Sequence, residues 1–203
     1  MNREEKNQQT LRKILDGALA EFSAQGYGGS SVNRLCAAQD ISKGIVYHYF
    51  DTKDALFLAC VEECFRRLTD FIRTRMTPEQ EEPEARLEQY FDARWAFFRE
   101  YPVYRRIFCE AVMTPPAHLS DAIRQRRQDF DALNTEILEE LLSSVPLRPD
   151  ITREEAADTF RQFQDFVNAR CHTTETDFAA RERSCRRALN ILLYGIIARK
   201  ELF

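Results

Sequence analysis

The chain has 203 residues, 44% hydrophobic and 31% charged, an ordinary balance for a globular protein with one sizeable core or a small domain fused to a larger one. Its net charge of −4 supplies no bulk basic footprint for a nucleic acid: residues 1–56 carry seven basic and seven acidic side chains, and the rest holds the whole deficit. The polar start, Met1 to Gln9, lacks the apolar core of a secretory signal, and the most apolar stretch, Ala188 to Ala198, is too short to cross a bilayer. A cytoplasmic protein with no membrane role is expected.

Six cysteines (Cys36, Cys60, Cys64, Cys109, Cys171 and Cys185) form no CxxC pair. Reduced, buried thiols are the expectation in a reducing compartment. Cys60 and Cys64 lie one helical turn apart, but nothing near them in sequence completes a four-ligand set, so no metal or other cofactor is expected.

In chain order, nearly every segment between breakers repeats at helical spacing, and no run alternates as a strand does. Residues 10–25 place Leu11, Ile14, Leu15, Ala18, Leu19 and Phe22 on one stripe, closed by Gly26 and a Tyr27-Gly28-Gly29 turn. Ser30-Ser31 opens a short helix through Ala38, and Ser42 caps a second through Tyr49. From Asp51-Thr52 a long helix, buried along Phe57, Val61, Cys64, Leu68 and Phe71, spans roughly 35 Å before Pro78 stops it. Five more segments follow: Glu84–Tyr101, Val103–Met113, Pro116–Ser143, Ile151–Cys171 and Phe178–Lys200. The fold expected is all-α, with about nine helices: a three-helix head, residues 1–56, joined by a long fourth helix to a C-terminal bundle, residues 57–203.

Residues 31–50 carry the chemistry. Two helices of about two turns, joined by a tight turn at Asp40, have helix-turn-helix geometry, with Leu35, Ala38, Ile41 and Val46 spaced to pack the pair. The second helix then turns Lys43, Gly44, Ile45, Tyr47 and His48 outward, where a major groove admits such a helix. Helix N-termini at Ser31 and Ser42 offer backbone N–H groups to phosphates. Each residue has a plainer reading alone, as an aromatic core cluster, a structural histidine or a helix cap; the combination carries the inference.

The stretch resembles the TetR family of one-component repressors. The matching residues are Ile14, Ala18, Phe22, Gly26-Tyr27, Ser31, Leu35, Ala38, Ile41-Ser42-Lys43-Gly44, Tyr47-His48-Tyr49-Phe50 and Lys53-Asp54-Ala55-Leu56. The resemblance implies DNA-facing roles for Lys43, Gly44, Tyr47, His48 and Lys53; Ser31, Arg34, Ser42 and Ile45 complete the candidate set. It also implies a dimer through the last two helices, a palindromic double-stranded DNA operator, and release when a small molecule fills the bundle. Asp40 stands where the family has glycine, and Asp tolerates the left-handed conformation better than most residues. Cys36 and Gln39 replace more usual alanines.

Residues 90–108 hold eight of the 23 aromatics, interleaved with arginines. This segment reads as filled core or as the lining of a ligand pocket; the candidate lining is Arg94, Trp95, Phe98, Tyr104, Phe108, Phe163 and Asn168. On the last helices Phe160, Val167, Leu189, Leu193, Ile196 and Ile197 form an apolar stripe wider than one neighbouring helix covers, a candidate homodimer interface. With three histidines, no phosphate-binding glycine loop and no nucleophile elbow, no catalytic constellation assembles, and an enzyme is not expected. A thiol- or metal-responsive regulator on the same fold, or a helical ligand-binding protein without a DNA role, are the alternatives.

Overall fold

The computed structural model describes residues 2–76, 83–169 and 178–196. Among them are ten α-helices, one 3-10 turn and no strand: α1 Arg3–Gly29, α2 Val32–Gln39, α3 Lys43–Tyr49, α4 Lys53–Arg75, α5 Pro83–Glu100, α6 Val103–Met113, the 3-10 turn Ala117–Leu119, α7 Ser120–Arg126, α8 Gln128–Ser144, α9 Arg153–Ala169 and α10 Phe178–Ile196. The all-α class expected from periodicity is the one observed. No described helix is long and apolar enough to cross a membrane.

The packing divides the chain into two compact units. The first takes the described residues up to Arg67 together with Tyr101–Gln128; the second takes Leu68–Glu100 and the described residues from Asp129 on. This division differs from one at residue 56, because α6 leaves the bundle in sequence only to pack along α1. Helix α4 supplies residues to both units.

In the first unit, α1 starts at a capping box: Asn2 Oδ1 accepts from Glu4 N–H at 3.4 Å and Glu5 Oε2 from Asn2 N–H at 2.9 Å. Its buried stripe is Ile14, Ala18, Leu19 and Phe22, and Phe22 lies edge-on to Phe57 of α4 at 5.0 Å between centroids. Where a stop is expected at Gly26, the chain kinks and runs on as helix to Gly29. Gly26 has φ 70° and ψ 172°, a region open essentially to glycine alone. Two α6 side chains hold the kink: Arg106 Nη1 donates to Ala24 O at 2.7 Å, and Glu110 Oε2 accepts from Tyr27 N–H at 2.9 Å. A β-carbon at Gly26 would collide with the Glu110 carboxylate.

The expected single helix over residues 116–143 is three elements. A 3-10 turn follows Pro116, and Arg127, at φ −102° and ψ 3°, separates α7 from α8 close to the point where the chain passes into the second unit. That unit is built on aromatic contacts: Phe71 with Phe97 at 5.5 Å, Phe97 with Phe98 at 5.3 Å and Phe91 with Phe163 at 5.5 Å. Tyr90, Phe98, Phe130, Leu133, Phe160 and Val167 complete its interior.

Gly26→Ala puts a side chain into both a forbidden backbone region and an occupied space, so it should cost about 2 kcal/mol or more. The denaturant midpoint of the variant checks this; an unchanged midpoint would mean that the kink is not required.

Candidate nucleic-acid interface

Helix α3 stands on one buried residue. Val46 is 1% exposed, whereas Ser42, Lys43, Gly44, Ile45, Tyr47 and His48 all reach solvent. Ser42 Oγ accepts from Ile45 N–H at 3.3 Å, the N-cap expected of it. Ile45 and Tyr47 are large apolar side chains left facing water, and nothing lies within 4 Å of a β-carbon built on Gly44. Neither packing nor strain accounts for these choices, whereas a partner surface does. Lys43 Nζ lies 5.7 Å from the Tyr47 ring centroid, putting charge and ring on one face.

The turn before α3 works as anticipated. Asp40 has φ 49°, the sole non-glycine positive φ among the described residues, and Ile41 N–H bonds Cys36 O at 3.0 Å to close α2. The packing of α2 is different in one respect. Its inward face runs through Val32, Leu35, Cys36 and Gln39, and Ala38 lies more than a quarter-turn off that face and is exposed.

Three other candidates are engaged within the chain. Ser31 occupies the N-cap of α2, but its side chain makes no capping bond; Glu21 Oε1 instead accepts from Ser31 N–H at 2.8 Å. The same carboxylate pairs with Arg34 at 2.7 Å, and Arg34 Nη2 also donates to Gly29 O. Lys53 is half-buried, donating to Tyr27 O at 2.9 Å with its ammonium 4.2 Å from the Tyr27 ring centroid. The solvent-facing set therefore centres on Lys43, Gly44, Ile45, Tyr47 and His48.

Two polar clusters are not legible in the sequence, because each joins residues far apart along the chain. Tyr27 Oη donates to Asp54 Oδ1 at 2.5 Å, and His118 Nε2 lies 3.1 Å from Asp54 Oδ2. Partial burial, then the bond to Asp54, pushes the Tyr27 phenol up to about 12. Deeper in, Glu63, 7% exposed, accepts from Arg12 Nη1 at 2.9 Å and Tyr104 Oη at 2.7 Å, and forms an ion pair with Arg67, whose Nε lies 3.0 Å away.

The expected ligand lining is divided between the two units. Tyr104 and Phe108 belong to the first unit, bound to Glu63 and against Phe65 respectively; Arg94, Trp95, Phe98, Phe163 and Asn168 belong to the second. The break at Tyr101-Pro102 separates them. In the second unit Arg94 is buried and donates to Asn168 Oδ1, with its guanidinium 5.7 Å from the Phe130 ring centroid. Trp95 lines a void of about 20 Å³, room for one water. A groove of about 550 Å³ lies between α8 and α9, and none of the seven candidates lines it.

The candidate dimer stripe is similarly spent. Phe160, Val167, Leu189, Leu193 and Ile196 are all buried within the one chain, and Ile197 lies outside the described residues. Among the described side chains of α9 and α10, the large apolar ones that face water are Phe166, 42% exposed, and Ile191, 65% exposed.

A short helix pair joined at an αL turn, with its second helix raised on one buried anchor, has helix-turn-helix geometry. Comparison with known proteins specifies the class further. Residues 14–60 match the family described as bacterial regulatory proteins, tetR family. The chain is 33% identical over 60 residues to the biofilm operon icaADBC HTH-type negative transcriptional regulator IcaR of Staphylococcus epidermidis, covering 30% of this chain and 32% of that one. Over 57 residues it is 44% identical to the HTH-type transcriptional repressor Rv1474c of Mycobacterium tuberculosis, covering 28% and 30%. The matches thus span about a third of the length of these curated relatives. A TetR-like transcriptional regulator from Rhodococcus sp. RHA1 has the same fold, at TM-score 0.70 and 20% identity over 92% of this chain and 96% of that one. Residues 14–60 thus resemble the tetR family, and the chain as a whole shares the fold of a TetR-like regulator.

Burial makes the α4 thiols poor nucleophiles: desolvation raises both Cys60 and Cys64 above the ordinary thiol range, and neighbouring Glu63 adds to it. At pH 7.5, iodoacetamide should label the half-buried Cys36 well before Cys60, Cys64, Cys109 or Cys185, as read peptide by peptide by mass spectrometry. Preferential labelling of Cys60 or Cys64 would restore a thiol-sensing role.

Proposed function

We propose that this protein is a transcriptional repressor that binds a palindromic double-stranded DNA operator as a homodimer and leaves it when a small molecule occupies the second unit. The observation that carries the reading is α3: one buried valine, and on the open side a cation, two large apolar side chains, a histidine and an uncrowded glycine. Lys43 and His48 suit phosphate, Tyr47 and Ile45 suit base edges and thymine methyls, and Gly44 lets backbone approach backbone. In this reading residues 1–56 are the operator-binding head, and the protein works in the cytoplasm. A two-fold operator calls for two heads about one helical turn of DNA apart, roughly 34–36 Å. A small-molecule trigger is favoured over a thiol trigger by the raised Cys60 and Cys64, and no group of three metal-ligating side chains occurs among the described residues.

Helix α4 begins four residues after the end of α3 and contributes to both units, to Arg67 in one and from Leu68 in the other. A ligand that favours a different setting of the second unit acts on the head through this helix, to the extent that it binds that setting more tightly. Reciprocity follows: operator weakens ligand by the factor that ligand weakens operator.

Two outcomes test the proposal. Lys43→Ala with Tyr47→Ala should reduce affinity for a duplex selected from random DNA about 100-fold by fluorescence anisotropy, as expected for two lost contacts, with the melting temperature nearly unchanged. Wild-type affinity should fall steeply with salt. Undiminished affinity in the double variant would remove α3 from the interface. For assembly, Phe166→Asp with Ile191→Asp should convert a sedimenting dimer to monomers of unchanged helicity, since unpaired charge is costly in an apolar interface. A wild type that sediments as a monomer at micromolar concentration would reject the dimer.

A further inference from the structure

Within the second unit lies a cleft of about 300 Å³, walled by residues of α4, α5 and α10. Three arginines line it, Arg75, Arg99 and Arg186, together with the small side chains Ala93 and Ala96 and the carboxylates Asp92 and Glu182. On α5, Asp92, Ala96 and Arg99 recur at helical spacing and so share a face. Arg75 ends α4 with its guanidinium 4.6 Å from the Phe71 ring centroid, and its Nη2 reaches Glu100 Oε2 at 3.5 Å. Glu182, 13% exposed, braces the other two: Oε2 accepts from Arg99 Nη1 at 3.4 Å and Oε1 from Arg186 Nη2 at 3.3 Å. Arg186 Nη2 also meets Asp92 Oδ1 at 2.8 Å, the one of these four contacts with the length of a charge-assisted hydrogen bond. Each guanidinium thus engages its carboxylates through a single nitrogen. Long pairs between exposed groups add little stability, so holding helices together does not account for three arginines gathered beside two alanines.

We propose that this cleft binds a phosphate group that still carries a proton, as the free ion or as a monoester. Guanidiniums supply the charge and match phosphate oxygens with paired N–H groups. The two carboxylates set the selectivity. Asp92, paired through Oδ1, offers Oδ2 as acceptor to a P–OH, a donor that sulfate lacks. A tetrahedral anion without that proton meets the charges of Asp92 and Glu182 with no bond to offset the repulsion. Desolvation raises the Asp92 carboxyl above its ordinary range, against the pull of Arg186, and so strengthens it as an acceptor of that proton. The cleft stands at the small end of ligand sites, about 300–1,000 Å³, which suits a phosphate with a small substituent.

The probes are inorganic phosphate, methyl phosphate and sulfate, titrated calorimetrically into the full chain at about pH 6, where both phosphates are partly protonated. Inorganic phosphate should bind saturably, one per chain, at least about tenfold tighter than sulfate. Methyl phosphate binding as tightly or tighter assigns the site to a monoester, and weaker binding assigns it to the free ion. Arg99→Gln, which gives up only an exposed pair 3.4 Å long, should weaken phosphate at least about tenfold with the melting temperature nearly unchanged. Asp92→Asn removes the repulsion while keeping an acceptor, so it should tighten sulfate and narrow the gap between the two anions. Equal binding of phosphate and sulfate by the wild type means plain charge attraction and overturns the proposal. So does undiminished phosphate binding by Arg99→Gln, an unaltered gap in Asp92→Asn, or the lack of any saturable binding. None of these readouts involves DNA, so each outcome holds whether or not the regulatory reading does.

Discussion

A carboxylate buried between three helices is the constraint on which the N-terminal unit depends. Glu63 of α4 accepts from Arg12 of α1 and from Tyr104 of α6, and is ion-paired with Arg67 one turn along its own helix. A lone carboxylate at that depth is costly, so the carboxylate and its three partners stand or fall as a set. The pattern repeats toward the surface, where Glu110 answers the Tyr27 amide and Glu21 answers the Ser31 amide. The need for such brackets follows from size. Helices α2 and α3 have eight and seven residues, and each buries one apolar side chain fully, Leu35 and Val46. So small an apolar contact cannot orient a helix alone. Charged contacts behind the helices fix their setting and leave the front of α3 without internal duties.

Much of this was legible in the residues. Helical periodicity, Ser42 as a cap, Asp40 as the left-handed turn residue and the outward face of α3 are local properties, written within a few positions of where they act. What could not be read was long-range. Ser31 has the right residue type and place for a cap, yet a carboxylate ten positions earlier takes the amide first. Arg34 and Lys53 look like phosphate ligands by type, yet Arg34, though exposed, is paired with Glu21 and Lys53 is held by the Tyr27 ring and carbonyl. Gly26 reads as a stop because glycine ends most helices; here α6 side chains hold both sides of a kink and the helix resumes.

The second unit shows the same limit in apolar form. Aromatic richness in residues 90–108 cannot distinguish a lined pocket from a filled core, since both require the same side chains. The rings fill one another's space, and the open volume lies where the sequence is unremarkable, between two helices with mixed polar and aliphatic faces. Likewise the wide stripe on the last helices is wide because several neighbours bury it within one chain. What faces outward is a phenylalanine and an isoleucine that periodicity does not single out.

Gly17 and Gln39 form a lock whose effect reaches into engineering. The Gln39 side chain occupies the space in which a β-carbon at position 17 would sit. The two positions are therefore one unit of inheritance, although 22 residues separate them in the sequence. Exchanging the recognition segment between regulators is a common way to redirect an operator, and here a transplant bounded at residues 31 and 50 would cut that unit in half. A donor with alanine at position 39 leaves a hole beside Gly17. Moving this segment onto a host with alanine at position 17 wedges α2 away from α1. Chimaeras of this protein must carry both positions or neither.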